Sequence, residues 1–292
     1  MISDTTTETV SGADAEAVRS TPETTRATIV RSTGSGYTPV RHSFVQKFEA
    51  KKKSRASTLA KLVRLRKRRE LILYLLALTC WDPEGKYPAW PAAVWLRALD
   101  AGPKATMTWS RSSLSESWTG LVGLKLVTRH RERRRSRITP RAETGKAAYV
   151  RPDGKRTEDH YLVLPGVFWT DLWFDRLSLA GVAVLLILLK ETGKNEEVHL
   201  THAETAAWYG ISDSTAKKGY QELLDYGLAT KRDEYIQADY AEDGVTVRRH
   251  YSLTGDFSTT AREKARKRAA AARAKRMRAA RGKKAAAPRS SS

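Results

Sequence analysis

The chain has little cysteine and no long apolar run. Its single cysteine, Cys80, excludes an intramolecular disulfide and a zinc finger built on cysteines. Cys80 follows an apolar helical stretch, so we expect a small buried side chain. The longest uncharged apolar stretch, residues 177–189, is thirteen residues long, which is too short to cross a bilayer and predicts a buried helix. Residues 1–40 lack the apolar segment of a signal peptide. We therefore expect a soluble, cytoplasmic protein.

Acidic residues are also scarce relative to basic ones. The 292 residues include 53 Lys and Arg against 32 Asp and Glu, a net charge of +21, and the isoelectric point is near 10.1. A protein with this excess repels itself unless a polyanion neutralises it, and nucleic acid is the commonest such partner. An anionic membrane surface is the competing interpretation.

Motifs that would indicate an enzyme are missing as well. The sequence has no GxxxxGK[ST] phosphate loop and no His-apolar-His pair of the kind used by DNA-nicking nucleases. His199 and His202 form an HxxH, but no further metal ligands lie nearby at suitable spacing, which favours two polar residues at a helix start. Tyr251 follows His250 without an acidic metal-binding cluster and is expected in the core. We expect no enzymatic activity, no cofactor, no metal and no small-molecule ligand.

What the chain does contain is an internal repeat. Residues 109–128 align without a gap on residues 211–230, with five identical pairs. These pairs are Ser110 and Ser212, Ser112 and Ser214, Leu121 and Leu223, Leu126 and Leu228, and Thr128 and Thr230. Each copy predicts an amphipathic helix that begins at a polar cap, Ser110 in the first copy and Ser212 or Asp213 in the second, and leads into a strand. Each copy is followed downstream by a His-Tyr pair.

The spacing of apolar residues orients both predicted helices. The inward side chains are expected to be Leu114, Trp118, Leu121 and Val122 in the first helix, and Ala216, Tyr220, Leu223 and Leu224 in the second. The polar side chains left outside would contact base edges if these helices enter a major groove. They are Arg111, Ser112, Ser113, Ser115, Glu116 and Thr119 in the first helix, and Asp213, Ser214, Thr215, Lys217, Lys218 and Gln221 in the second.

Each helix is expected to run into a β-hairpin, or wing. In the first copy we predict pairing between a strand from Leu126 and the strand 160–164, which makes this wing twelve residues longer than the second. It is strongly basic, with Glu132 as the single acid among Arg129, Arg131, Arg133, Arg134, Arg135 and Arg137. Four of these, Arg129, Arg131, Arg133 and Arg135, are expected on one strand face, where they would follow phosphates or enter a narrow minor groove. The second wing turns at Asp243-Gly244.

The second copy differs in charge. Residues 201–253 contain six Lys and Arg against nine Asp and Glu, a net of −3. Two interpretations follow. Either both copies bind DNA and the first dominates, or the second serves mainly for dimerisation or contact with a partner. The charge favours the first copy as the principal DNA reader.

These patterns predict a mainly α, α+β chain with small β-hairpin wings, arranged as two tandem winged-helix domains between tails. We expect a disordered Thr-rich tail at 1–46, a basic helical arm at 47–69, winged-helix domains at 70–165 and 166–257, and a basic tail at 258–292. The junction after residue 165 is rich in large aromatics, which predicts packing between the domains with a fixed orientation. The Ala/Arg/Lys-rich tail carries +12 from residue 261 and is expected to be disordered until its charge is neutralised by phosphates.

The double plan resembles tandem winged-helix proteins. Residues 164–190 and 208–232 look much like winged helix-turn-helix proteins carried by actinobacterial plasmids and phages, and the plan is more distantly similar to tandem winged-helix replication initiators. The resemblance covers about residues 70–255. The resemblance implies the fold more specifically than the role. We expect sequence-specific binding of double-stranded DNA, a nucleoid-associated location, and a second copy of the chain as a candidate partner in a homodimer. The expected role is that of a transcriptional regulator, with a mobile element as one candidate source; the alternatives are a replication initiator on repeated origin sites and an architectural DNA-compacting protein.

Overall fold

The computed structural model describes residues 19–47, 56–81, 89–132 and 135–286. In chain order the elements are α1 Pro22–Ser32, β1 Tyr37–Arg41, α2 His42–Val45, α3 Thr58–Arg64, α4 Arg68–Thr79, β2 Ala89–Trp90, α5 Ala92–Leu99, α6 Arg111–Gly123, β3 Val127–Glu132, β4 Arg135–Pro140, β5 Tyr161–Pro165, α7 Val167–Thr170, α8 Trp173–Arg176, α9 Leu179–Glu191, β6 Glu197–His199, α10 His202–Tyr209, α11 Asp213–Asp225, β7 Ala229–Gln237, β8 Val245–Leu253 and α12 Thr259–Ala286. The fold is α+β, with small antiparallel sheets. Among the described residues, no helix is both long and apolar enough to span a bilayer.

Two segments of the chain repeat one plan. Module 1, residues 68–140, runs helix, strand, helix, helix, strand, strand, and module 2, residues 179–253, runs through the same elements. The sheets match too, because their strand orders are β2-β4-β3 and β6-β8-β7. The first helix of each module, α4 or α9, is buried on nearly every side, as its apolar sequence predicts.

The prediction that the strand 160–164 pairs with the strand from Leu126 is wrong. β3 pairs with β4 in a short hairpin, whereas β5 pairs antiparallel with β1, where Val40 lies opposite Leu162. The first hairpin is therefore not twelve residues longer than the second. The His160-Tyr161 pair has no structural equivalence to His250-Tyr251, since Tyr251 lies in β8 opposite Lys231. Tyr251 is buried, as predicted.

The prediction of a disordered segment 1–46 is wrong for residues 19–46, while residues 1–18 lie outside the described residues. Thr21 caps α1 by accepting a hydrogen bond from the Thr24 amide. The few apolar side chains of this segment all point inward, and they include Ile29, Val40, Phe44 and Val45. Low apolar content did not prevent folding here, because nearly every apolar residue present is used in the core.

The expected basic arm 47–69 is also part of the folded body in its described portion. In α3 the side chains of Leu59, Leu62 and Val63 are buried, whereas Leu65, which follows the helix, is 51% exposed. The expected helix is present, and it packs against α2 and α4.

The aromatic junction packs as predicted. Phe168, Trp169 and Phe174 are fully buried, and Trp169 lies between the other two rings at centroid distances of 5.0 and 5.5 Å. Their buried side chains belong to one continuous apolar core that includes residues of both modules. Cys80, expected to be buried, is only partly so.

The basic tail is not disordered over its described length. α12 extends for 28 residues, which fits the high helix propensity of Ala, Arg and Lys. Its first turn is anchored in the core, where Arg262 is 3% exposed and donates to the carbonyls of Leu189, Thr192 and Phe257. Burial lowers the pKa of Arg262 to about 10, and the nearby Arg266 acts in the same direction.

Candidate nucleic-acid interface

Serine caps fix the start of α6 and α11. Ser110 accepts a hydrogen bond from the Ser113 amide at 3.1 Å, and Ser113 Oγ accepts one from the Ser110 amide at 2.9 Å. In α11, Ser212 Oγ accepts from the Thr215 amide at 3.2 Å and lies 3.1 Å from Ser214 Oγ. The predicted caps are confirmed. Ser113 is therefore held by the cap, as a structural residue of the helix start.

The inward face of α6 differs from the predicted one at one position. Leu114, Trp118 and Leu121 are buried as predicted, but Val122 is 41% exposed. Ser117 is buried instead and donates a hydrogen bond to the Ser113 carbonyl at 2.7 Å. The buried face of α6 therefore consists of residues 114, 117, 118 and 121, which is a regular helical spacing. Ser117 was not predicted on this face because its side chain is polar.

The inward face of α11 agrees more closely with the sequence. Ala216, Tyr220 and Leu223 are buried, and Leu224 is half-buried. The Tyr220 hydroxyl lies 3.1 Å from Thr205 Oγ1 of α10. This contact fixes α11 on the preceding helix.

The outward faces carry most of the predicted contact residues. Arg111, Ser112, Glu116 and Thr119 are exposed on α6, with Ser115 and Ser113 half-buried; on α11, Asp213, Ser214, Lys217, Lys218 and Gln221 are exposed, with Thr215 half-buried. Two of these side chains already have partners on their own helix. Gln221 donates to Asp225 at 2.7 Å, and the Thr119 hydroxyl donates to the Ser115 carbonyl at 3.0 Å. Binding a base edge with Gln221 requires breaking its hydrogen bond.

The β3–β4 hairpin, hairpin 1, distributes its arginines over both faces. Arg129 and Arg131 lie on the face shared with Ser136, while Arg135 and Arg137 lie on the opposite face with His130. The expectation that Arg135 shares a face with Arg129 is therefore wrong, because Arg135 lies on β4 opposite Glu132, a strand position on the other face from Arg129 and Arg131. Arg133 and Arg134 lie outside the described residues.

Arg129 links hairpin 1 to α6. Its guanidinium donates to Ser115 Oγ and to Ser136 Oγ, both at 3.3 Å. The helix and the hairpin thus present one continuous polar surface.

The β7–β8 hairpin, hairpin 2, has cations that are largely neutralised. Arg232 pairs with Glu197 at 2.6 Å, and Asp233 lies 3.5 Å from Lys231 and 3.8 Å from Arg249. Within the described part of the chain, by contrast, Arg111, Arg131 and Arg135 are exposed and have no acidic partner. Lys217, Lys218 and Arg248 of module 2 are also exposed without an ion pair to any described acid, but residues 201–253 carry a net charge of −3, so the excess of positive charge lies on module 1.

His202, at the start of α10, adds no charge to module 2 at neutral pH. Burial is the largest effect and lowers the pKa of its imidazole; Asp213 opposes it, and the nearby Arg249 and Lys217 lower the pKa further. His199 of the HxxH uses Nδ1 to contact the Arg249 carbonyl at 2.9 Å. In the ranges that the structure describes, no group of three or more His, Cys, Asp or Glu is placed to hold a metal ion.

The turn before α6 is held by residues that sequence reasoning missed. Arg68 and Arg69 donate to Thr106 Oγ1 and the Thr108 carbonyl at 3.0 and 3.1 Å. Asp175, 3% exposed, accepts from the Thr106 and Met107 amides at 2.8 and 3.0 Å. Asp175 comes from α8, so the start of the module 1 candidate interface is positioned partly by the junction. An acid directly after Trp173 and Phe174 of the aromatic junction was the available signal.

No protein-family model matches this sequence, and neither a curated protein nor a solved structure shows significant similarity to the chain. The functional argument therefore depends on the residues and geometry described above.

Proposed function

We propose that this protein binds double-stranded DNA sequence-specifically through two winged helices and acts as a transcriptional regulator. The observation that carries the proposal is that each module has an exposed polar helix, α6 or α11, followed by a hairpin in the same sheet order. Helix, strand, helix, helix and hairpin is the order typical of a winged helix. A helix of thirteen residues is about 20 Å long and fits the major groove, which is about 12 Å wide.

Charge supports module 1 as the principal reader. Arg111 of α6 and Arg131 and Arg135 of hairpin 1 have no acidic partner among the described side chains. Lys231, Arg232 and Arg249 of hairpin 2, by contrast, are paired with acids. Binding to phosphates releases counterions, and paired cations contribute less to that release because their charge is already balanced. Module 2 then adds contacts to a complex that module 1 dominates.

The direct test is selection of bound sequences from a random double-stranded DNA pool, followed by genome-wide mapping of bound sites. A regulator should enrich one motif and occupy one or two sites near promoters. Arrays of direct repeats at an origin would instead indicate an initiator. No enrichment of any motif would contradict sequence-specific binding.

The two modules can be ranked with paired substitutions of equal charge. Arg131→Ala with Arg135→Ala should weaken DNA binding by about tenfold or more near physiological salt and make the salt slope shallower by about 1.8, since each lost phosphate contact removes about 0.9. Lys217→Ala with Lys218→Ala should weaken it less. The measurement is fluorescence anisotropy across a salt series on the selected site. A larger loss in the Lys217 and Lys218 variant would show that module 2 is the main reader.

A further inference from the structure

α3 precedes module 1 in the sequence, but its first turn lies on module 2. Gly210 ends α10 in the left-handed conformation, with φ of +67°. A Cβ at this position would lie 3.1 Å from Ala56 Cα and 3.3 Å from Ala60 Cβ. The side-chain amide of Gln46 donates to the Trp208 carbonyl at 3.3 Å. The turn between α10 and α11 is therefore covered by α3 itself and by residues that precede it.

The exposed cations of α3 lie beside this contact. Ala60 is fully buried against the turn, and helical spacing makes Arg64, four residues further on, its neighbour on the helix surface. Lys61 neighbours Arg64 in turn, three residues before it. Lys61, Arg64 and the following Arg66 are exposed. None of the three has an ion pair or hydrogen bond with a side chain in the described ranges. Their positive charge is available to an anion in solution.

Module 2 has exposed cations of its own, Lys217 and Lys218 on α11, but acids outnumber them. Residues 201–253 have a net charge of −3, and α11 begins with Asp213, which repels phosphate. Three cations of hairpin 2, Lys231, Arg232 and Arg249, are paired with Glu197 or Asp233. A duplex presents one negative charge per about 1.7 Å of its axis, so module 2 alone is poorly matched to it.

We propose that α3 is the phosphate-contacting element of module 2, with Lys61 and Arg64 binding the DNA backbone beside the turn that leads into α11. This proposal rests on the proposed DNA-binding function and assigns it a further surface. The basic segment before module 1 then acts on the second module, since the fold attaches it there through Ala56, Ala60 and Gln46. Module 2 binds DNA as a composite of two distant parts of the chain.

The test uses the full chain with Lys61→Gln and Arg64→Gln, which keep helix propensity and remove two charges. The control is Lys146→Gln with Lys155→Gln, an equal charge change on the exposed connection between β4 and β5. Binding to the selected DNA site is measured across a salt series, with thermal unfolding to compare stability. The α3 variant should show a salt slope shallower by about 1.8 and should lose backbone protection next to the module 2 half-site in a hydroxyl-radical footprint.

The outcomes separate this proposal from the function on which it rests. An unchanged slope and footprint in the α3 variant, with normal binding by the wild type, would overturn the role of α3 and leave DNA binding intact. Equal losses in both variants would indicate a general effect of net charge and would also overturn it. A wild-type protein that binds no duplex would overturn the proposed function itself.

Discussion

At the residue scale, the two modules share one helix ending that uses different amino acids. The Leu126 amide donates to the Leu121 carbonyl at 3.0 Å, and the Leu228 amide donates to the Leu223 carbonyl at 2.8 Å. This is the Schellman pattern, which requires a left-handed residue just before its last donor. Gly227 fills that position in module 2 with φ of +65°, whereas Lys125 fills it in module 1 with φ of +60°. Module 1 therefore carries backbone strain that module 2 avoids.

Replacing Lys125 by Gly should stabilise the protein. A side chain in the left-handed region costs about 1 kcal/mol, and part of this gain is offset by the greater freedom of glycine in the unfolded chain. We expect the free energy of unfolding to rise by about 0.5 kcal/mol, measured by chemical denaturation. The matched control is Gly227→Lys, which should destabilise by a similar or larger amount. Destabilisation by Lys125→Gly would contradict the strain argument.

A second residue-scale feature shows what aligned sequence alone conceals. Glu70 of α4 packs against Gly120 of α6, where an added Cβ would lie 2.8 Å from Glu70 Oε1. In module 2 the pair is reversed, since Gly181 of α9 faces Glu222 of α11, which also accepts a hydrogen bond from the Ser178 amide at 2.7 Å. The repeat alignment sets Gly120 against Glu222 as a mismatch. The packing of the two helices shows that each module pairs one Gly with one Glu, and that the two residues have exchanged helices between the modules.

At the element scale, caps and turns, which depend on residues close in sequence, could be predicted. Strand pairing could not be predicted where the partner strand lies far away in the chain. The caps at Ser110 and Ser212 were predictable because the donor lies three residues away. The turn at Gly244 was predictable for the same reason. β5 was assigned to the wrong hairpin because its true partner, β1, lies about 120 residues earlier. A Thr-rich segment gives no local signal that it will pair there.

A single buried guanidinium, that of Arg262, attaches the start of the basic tail to the folded body. Arg262 makes all five of its hydrogen bonds to neutral oxygens near the end of α9, including Thr192 Oγ1 at 2.7 Å and Thr259 Oγ1 at 3.0 Å. A cation at a helix C-terminus also interacts favourably with the helix dipole. The basic tail therefore begins as a helix, and the Arg262 contacts hold its first turn against the folded body.

Removing this group should release α12. Arg262→Met leaves the carbonyls of Leu189 and Phe257 without their donor, so we expect a loss of about 2–4 kcal/mol in the free energy of unfolding. Amide hydrogen exchange should also become faster throughout α12. Arg268→Met, an exposed site on the same helix, is the control and should change neither quantity much. Equal exchange rates in the two variants would show that Arg262 does not anchor the helix.

At the scale of the whole molecule, the N-terminal segment fastens the two modules together. Arg26 of α1 donates to the Asp100 carbonyl at the end of α5 at 2.5 Å, which is a contact with module 1. Gln46, after α2, contacts module 2 through Trp208. Between them β1 pairs with β5 next to the aromatic junction. The absence of a Gly/Ser linker predicted a fixed orientation, but the segment that provides much of it was expected to be disordered.

His42 belongs to α2, which packs against α9. Its titration makes the stability of the whole molecule depend on pH. Burial lowers the pKa of its imidazole to about 4, with further lowering by Lys190, His160 and Arg266 that outweighs the opposing effect of Glu191. An unfolded histidine has a pKa near 6.5. As the pH falls below that value, the unfolded state takes up a proton that the folded state does not.

The free energy of unfolding should therefore fall by about 1 kcal/mol per pH unit between pH 6.5 and 4 on account of this group. His42→Asn keeps a polar side chain and removes the titration. The measurement is the difference in unfolding free energy between wild type and variant at several pH values, because the other titrating groups then cancel. The wild type should lose stability relative to the variant as the pH falls through this window. A difference that is constant from pH 7 to 4 would show that His42 is not held neutral by the contact between the N-terminal segment and α9.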